Sequence, residues 1–247
     1  MRQTTTPTTG AHRLPGEPAD HDMLLVSCQN VSITFGEGSA SVVAVHGSDA
    51  SVTAGSRVAI AGPSGSGKST LLHLMAGFER PTSGTVTWPA LPEPEADPTR
   101  DIGVVFQSPS LVPTLNVFEN VALPLYLAGE PPAVITDRVR ASLQLVGAGE
   151  LENRLPDELS GGQAQRVAVA RVLAQQPRLI LADEPTGQLD HDTGQRVVDA
   201  LLATADELGA ALIVTTHDEE VAQRLATRWS MHDGRLQTTA PVAGVLR

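Results

Sequence analysis

Residues 57–70 read RVAIAGPSGSGKST. A short aliphatic strand, Arg57–Ala61, runs straight into a glycine-rich turn, and the spacing predicts a helix over Thr70–Phe78. The turn fits G-x-x-x-x-G-K-[ST] between a strand and a helix, which is the setting that gives this pattern its meaning. Glycines let backbone N–H groups face inward around phosphate oxygens, and the helix start adds partial positive charge. Gly62, Pro63, Ser64, Gly65, Ser66 and Gly67 are therefore expected to cradle a nucleotide polyphosphate. Lys68 reaches its outer phosphates, Ser69 ligates Mg²⁺, and Thr70 donates to the innermost phosphate.

Three more strand ends carry matching chemistry. LILADE (179–184) is an aliphatic strand that finishes in two carboxylates, a costly arrangement unless a cation or catalysis holds them there. Asp183 suits Mg²⁺ and Glu184 suits polarising an attacking water. Gln107 closes IGVVFQ, and His217 closes the buried strand LIVTTH. Strands alternate with helix-period segments, among them Val197, Val198, Leu201, Leu202, Ala205 and Leu208 on one face, so the expected class is α/β with a mostly parallel sheet covered on both sides. In such sheets ligands sit outside the carboxyl ends of strands, so all four ends are expected to face one crevice.

A second candidate cradle, LSGGQ (159–163), opens another helix after a mostly helical stretch in which Ile135, Val139, Leu143 and Val146 recur at helical spacing. Ser160, Gly161, Gly162 and Gln163 offer a hydroxyl, backbone N–H groups and an amide to an anion. With no lysine and no metal ligand, this cradle cannot hold a nucleotide unaided. It can complete a site that another copy of the chain begins.

Bulk properties narrow the classes of partner. The chain has 247 residues, 41% apolar but only 3% aromatic, so its core is mainly aliphatic. A net charge of −11 argues against general affinity for nucleic acid or an anionic membrane surface. The single cysteine, Cys28, lies in an apolar run and reads as a packed structural thiol in a reducing cytosol. No apolar stretch approaches the ~20 residues that span a bilayer, so no direct membrane insertion is expected. Residues 1–22 have no apolar h-region and read as a flexible tail, and residues 89–99, PALPEPEADPT, read as a surface loop. Met23–Phe35 and Ser41–Val45 read as strands separated by a turn.

Taken in order, GPSGSGKST, Gln107, LSGGQ, LILADE, GQLD (187–190) and His217 make the chain resemble the ATP-binding cassette (ABC) ATPases over roughly residues 23–235. The resemblance implies a P-loop NTPase cassette with a mostly parallel core sheet, antiparallel edge strands and a helical subdomain at about 108–158. It implies ATP and Mg²⁺ as cofactors, with Gln107 sensing metal and water. Glu184 becomes the catalytic base, and His217 a γ-phosphate contact. Phe35 falls where the family stacks an aromatic on adenine. Two copies are implied to pair head to tail, each presenting Ser160–Gln163 to the ATP on the other's P-loop.

LVPTLNVFENVALPL (111–125) and DEPTGQLD (183–190) resemble the lipoprotein-release and macrolide-exporter branch. That branch implies a separately encoded integral membrane permease gripped by the helical insert, and a cytoplasmic, peripheral location. The cell-division ATPase, which transmits force through a similar permease without transport, shares much of this pattern. Soluble cassettes of translation or DNA repair fit less well, since neither a second cassette nor a long coiled-coil insertion is present. Residues 85–101 are short for the family, which leaves the local sheet edge open.

Overall fold

A computed structural model describes residues 23–36, 38–92 and 101–238. The strands are β1 (Leu24–Phe35), β2 (Val42–Thr53), β3 (Arg57–Ala61), β4 (Ser83–Thr87), β5 (Ile102–Val105), β6 (Leu179–Asp183), β7 (Ala211–Thr216), β8 (Thr227–His232) and β9 (Arg235–Thr238). The helices are α1 (Lys68–Met75), α2 (Val117–Leu127), α3 (Pro132–Leu145), α4 (Gly161–Gln175), α5 (His191–Leu208) and α6 (Glu219–Gln223). The expected tail, residues 1–22, and much of the proline-rich loop lie outside the described residues.

Six strands form one sheet in the order β5-β6-β7-β3-β8-β9. Every pairing is parallel except β8 with β9, which closes one edge. The registers Val105↔Ala182, Asp183↔Thr215 and Ala61↔Thr216 bring the carboxyl ends of four strands level. All five residues of β6 and all six of β7 are buried, as a sheet covered on both faces requires. One face packs Val105, Ile180 and Val214 against Val167 and Leu173 of α4 and Leu201 of α5. The other packs Val58, Ile60 and Ile213 against Leu71 and Leu74 of α1 and Leu25 and Ile33 of β1. Each such aliphatic side chain contributes roughly 2 kcal/mol by leaving water.

The antiparallel strands form a sheet of their own, β2-β1-β4, as well as the β9 edge. Strand β2 runs to Thr53, well past the expected Val45. Gly47 and Asp49 break its apolar pattern, but side chains repair the bulged ladder: Gly47 N donates to Ser32 Oγ at 2.8 Å and Asn30 N to Asp49 Oδ1 at 2.8 Å. Helix α1 starts at Lys68 and stops at Met75, short of the expected Phe78. Gly77, at φ 76°, ends it in a Schellman motif: Phe78 N bonds His73 O at 3.0 Å and Gly77 N bonds Leu74 O at 3.1 Å.

The insert between β5 and β6 is helical, as expected. Asn116 caps α2 in a reciprocal box with Glu119. The fully buried Asn120 ties the preceding loop to that helix, accepting from Val112 N and donating to the carbonyls of Val112, Leu115 and Asn116. Helix α4 packs on both α2 and α3, so the insert reaches past residue 158 into the helix that LSGGQ opens. No helix among the described residues is long and apolar enough to cross a membrane.

Cys28 is 2% exposed on β1, and its thiol is pushed up to about 12, first by burial and second by the charge of Asp49. At about pH 8 the thiolate fraction is then on the order of 10⁻⁴. We expect Ellman's reagent to leave Cys28 untouched in native protein and to titrate it once guanidinium has unfolded the chain. Labelling of the native protein within minutes would contradict this packing.

Candidate nucleotide-binding site

The loop leaving β3 fits its surroundings only because it lacks side chains at two places. A Cβ on Gly62 would lie 2.1 Å from the Met231 carbonyl oxygen, and one on Gly67 would lie 2.3 Å from that of Ala44. Gly67 is also left-handed at φ 99°. The β8–β9 turn braces the far side, with Gly234 N donating to Ser66 O at 3.0 Å. No side chain caps α1, and its first turn, Lys68–Thr70, lines a cavity of about 410 Å³. Ser64, Gly65, Gly67, Gln107 and Glu184 share that lining.

Lys68 is 4% exposed. Its Nζ donates to the carbonyls of Gly62 and Pro63 at 2.9 Å each and stands 3.6 Å from Glu184 Oε1. Ser69 Oγ donates to Asp183 Oδ1 at 2.9 Å, and Thr215 Oγ1 donates to the same oxygen. Asp183 is thus a buried carboxylate anchored by two hydroxyls. Glu184 is left-handed at φ 43°, a costly conformation for a side chain with a Cβ. Two bonds from its N–H, to Thr215 O at 3.1 Å and Thr215 Oγ1 at 3.0 Å, hold it there. Its other carboxylate oxygen lies 3.0 Å from His217 Nδ1.

The expected convergence of four strand ends is therefore observed, with two adjustments. Gln107 sits two residues beyond the end of β5 rather than on it. His217 reaches the crevice through Glu184, while its ring borders a neighbouring cavity of about 280 Å³ with Gly62 and Pro63. Phe35 is 43% exposed and pairs with Val42, a residue of the main cavity wall, rather than packing into the core. Val42, Val43, Ala44, His46 and Asp233 complete that wall. These residues, and Thr215, were not read from the sequence. Only the Asp233–Gly234 turn pair left a local signal, and nothing local joined it to the phosphate loop.

Ser160–Gln163 stand apart. Ser160 caps α4, accepting from Gln163 N at 3.2 Å, while Gln163 Oε1 accepts from Ser160 N at 2.8 Å. Ser160 and Gly161 are exposed, and none of the four lines the phosphate cavity. Gly162 packs on the loop after β6, where a Cβ would meet Leu189 Cδ2 at 3.3 Å.

Among the described residues no group of three or more His, Cys, Asp and Glu is placed to hold a metal. A hydroxyl, a carboxylate and an amide oxygen (Ser69, Asp183, Gln107) beside a phosphate cradle instead fit Mg²⁺, which keeps waters and shares its shell with substrate phosphates. When bound it neutralises and orients phosphate oxygens.

The ABC transporter family profile matches residues 45–187, which span the phosphate loop, the LSGGQ cradle and the paired carboxylates. The chain belongs to the ABC transporter ATP-binding family. It is accordingly an ATPase that uses ATP and Mg²⁺. The lipoprotein-releasing system ATP-binding protein LolD of Legionella pneumophila strain Lens is 40% identical over 223 residues, covering 87% of this chain and 98% of the relative. Among solved structures, the dimeric bacterial ABC transporter cassette MJ0796 superposes with a TM-score of 0.82 at 34% identity, over 90% of this chain and 100% of the other. The same cassette, dimeric in a post-hydrolysis state with ADP and Pi, gives 0.81. CbiO1 of Clostridium perfringens, part of the ABC transporter complex cbiONQ, gives 0.76 at 27% identity, over 89% of each chain.

For Asp183→Asn we expect nucleotide binding in EDTA to change by less than about threefold. The gain in ATP affinity on adding Mg²⁺ should fall by about tenfold or more. Fluorescent ATP titrations with and without Mg²⁺ measure both. An undiminished Mg²⁺ effect would remove Asp183 from the metal site.

Proposed function

We propose that the chain is the ATP-hydrolysing subunit of an ABC exporter-like membrane complex, in which two copies sandwich ATP between the phosphate loop of one and Ser160–Gln163 of the other. The supporting observation is Gly161. It is exposed, its φ is not left-handed, and a Cβ built on it meets nothing within 4 Å. Nothing among the described residues requires glycine there, yet the position opens a capped helix whose N–H groups suit an anion. The requirement then lies outside the chain, at a surface approached closely by a ligand held elsewhere. The phosphates in the cradle of a second copy meet that description. The dimeric state of MJ0796 supports the same arrangement.

In this reading Glu184 takes a proton from water as the water oxygen bonds to the γ-phosphorus. The bond from phosphorus to the bridging oxygen breaks, leaving ADP and inorganic phosphate. His217 orients the carboxylate from 3.0 Å and faces the γ-phosphate, while Lys68 balances the charge that develops on the phosphate oxygens. Gln107 places metal and water.

The helical insert meets the permease, and its exposed apolar side chains support that role. Tyr126 and Leu127 end α2 at 54% and 71% exposure. The likeness to LolD favours the lipoprotein-release branch over a purely force-transmitting partner. The protein then works at the cytoplasmic face of the membrane, held there by its permease.

Glu184→Gln is expected to bind ATP, to lower turnover by about a hundredfold or more, and to elute as an ATP-dependent dimer in size-exclusion chromatography. Adding Gly161→Glu should return it to monomer with ATP affinity within about threefold. Full-speed hydrolysis by a monomer, indifferent to dilution and to Gly161→Glu, would overturn the two-copy site. A membrane permease is expected to co-purify from native membranes, and Leu127→Asp should weaken that association.

A further inference from the structure

The segment that carries Gln107 is gripped by α4 on both sides of that residue. Gln165, in the second turn of α4, is 1% exposed, and its Nε2 donates to the Phe106 carbonyl at 3.1 Å. A carbonyl can only accept, so the amide nitrogen must be the atom that faces it. Farther along the helix, Arg171 donates from Nη1 to Ser110 O at 3.0 Å and from Nη2 to Pro109 O at 3.2 Å. The three carbonyls bracket Gln107.

Neither residue is an obvious choice for its position. Gln165 Oε1 is buried without a partner among the described residues, a loss that an apolar side chain would avoid. Burial also lowers the Arg171 pKa by desolvating its guanidinium. What both secure is the loop. Ser110 is left-handed at φ 49°, a conformation a serine does not hold by preference, and the guanidinium fork fixes the carbonyl that follows from it.

Helix α4 is also capped by Ser160 and packs against both helices of the insert. We propose that Gln165 and Arg171 are positioning residues that clamp the Phe106–Ser110 segment to α4, so that Gln107 and Ser160 move as one body. Joined to the two-copy site proposed above, on which this consequence rests, the clamp links the two nucleotides. Gln107 of a chain faces the ATP on its own phosphate loop, and Ser160 of the same chain faces the ATP on its partner's. Engagement of one cradle then shifts the metal- and water-placing group of the other, which makes ATP hydrolysis cooperative.

The test uses the full chain with Gln165→Met, which keeps volume and removes the amide, and with Arg171→Lys, which keeps charge and loses the fork. Hydrogen exchange of amides in 104–112, read without nucleotide, should quicken by about tenfold for Gln165→Met and less for Arg171→Lys. The kcat should fall about tenfold with KM within about twofold, and the Hill coefficient for ATP should drop from about 2 towards about 1. Gln107→Ala combined with Gln165→Met should be no slower than Gln107→Ala alone. A lowered Tm with unchanged exchange in that segment, or losses that multiply in the double variant, would overturn the clamp. Failure of Glu184→Gln to dimerise would instead strike the two-copy site, and exchange and the double variant would still decide the clamp within one chain.

Discussion

The ammonium of Lys68 is the constraint around which the rest is arranged. At 4% exposure it has left almost all of its water, a loss worth several kcal/mol unless replaced. Its replacements are the Gly62 and Pro63 carbonyls and, farther off, the Glu184 carboxylate. Those groups come from the ends of two strands, β3 and β6, which are separated in the sheet by β7. In a parallel sheet such ends lie at one edge, and crossover connections join the strands. Glycines at 62 and 67 let β2 and β8 approach from the sides, so the cation is enclosed by backbone rather than by bulky side chains.

The same economy governs the negative charges. Asp183 and Glu184 are adjacent in sequence but are treated differently. Asp183 still follows strand geometry and turns into the interior, where the Ser69 and Thr215 hydroxyls compensate it. Glu184 leaves the strand at positive φ, which swings its carboxylate out between Lys68 and His217. One residue of β7, Thr215, serves both: its hydroxyl bonds the first carboxylate, and its hydroxyl and carbonyl hold the backbone of the second. The strain at Glu184 is thus held by a neighbouring strand, and replacing Thr215 would disturb two functional groups together.

How much of this was legible depended on the range of the forces involved. The phosphate loop, LILADE, LSGGQ and His217 could be read because each is a local pattern with its own chemical logic, and β3, β6 and β7 because buried parallel strands form unbroken aliphatic runs. Strands β4, β8 and β9 were not read. β4 is mostly exposed and offers no apolar alternation, while TRWSMH of β8 alternates but is too short to stand out beside α6. Strand β2 was cut short because its polar interior is rescued by Ser32 and Asn30, residues of the neighbouring strand. His46, Asp233 and Thr215 were missed for the same reason: they join the site by folding, from two strands and a turn distant in sequence. Gln165 stood in plain view within QAQR, but its meaning lies in a carbonyl at residue 106.

In the isolated chain several of the groups that would meet a nucleotide already rest on a neighbour. Lys68 rests on carbonyls, Ser69 on Asp183, His217 on Glu184, and Ser160 on Gln163. For the buried Lys68, lack of a partner would cost about 1–3 kcal/mol, whereas the exposed His217 and Ser160 could turn to water. Parking Lys68 on carbonyls costs little, because a charged phosphate oxygen is a stronger acceptor than the carbonyls it displaces. For these groups the site needs exchange of partners rather than assembly from disorder. Such an arrangement favours a switch over a permanently open site. Binding replaces one satisfied set of hydrogen bonds by another, so modest differences in ligand, such as the presence of the terminal phosphate, can decide which set prevails.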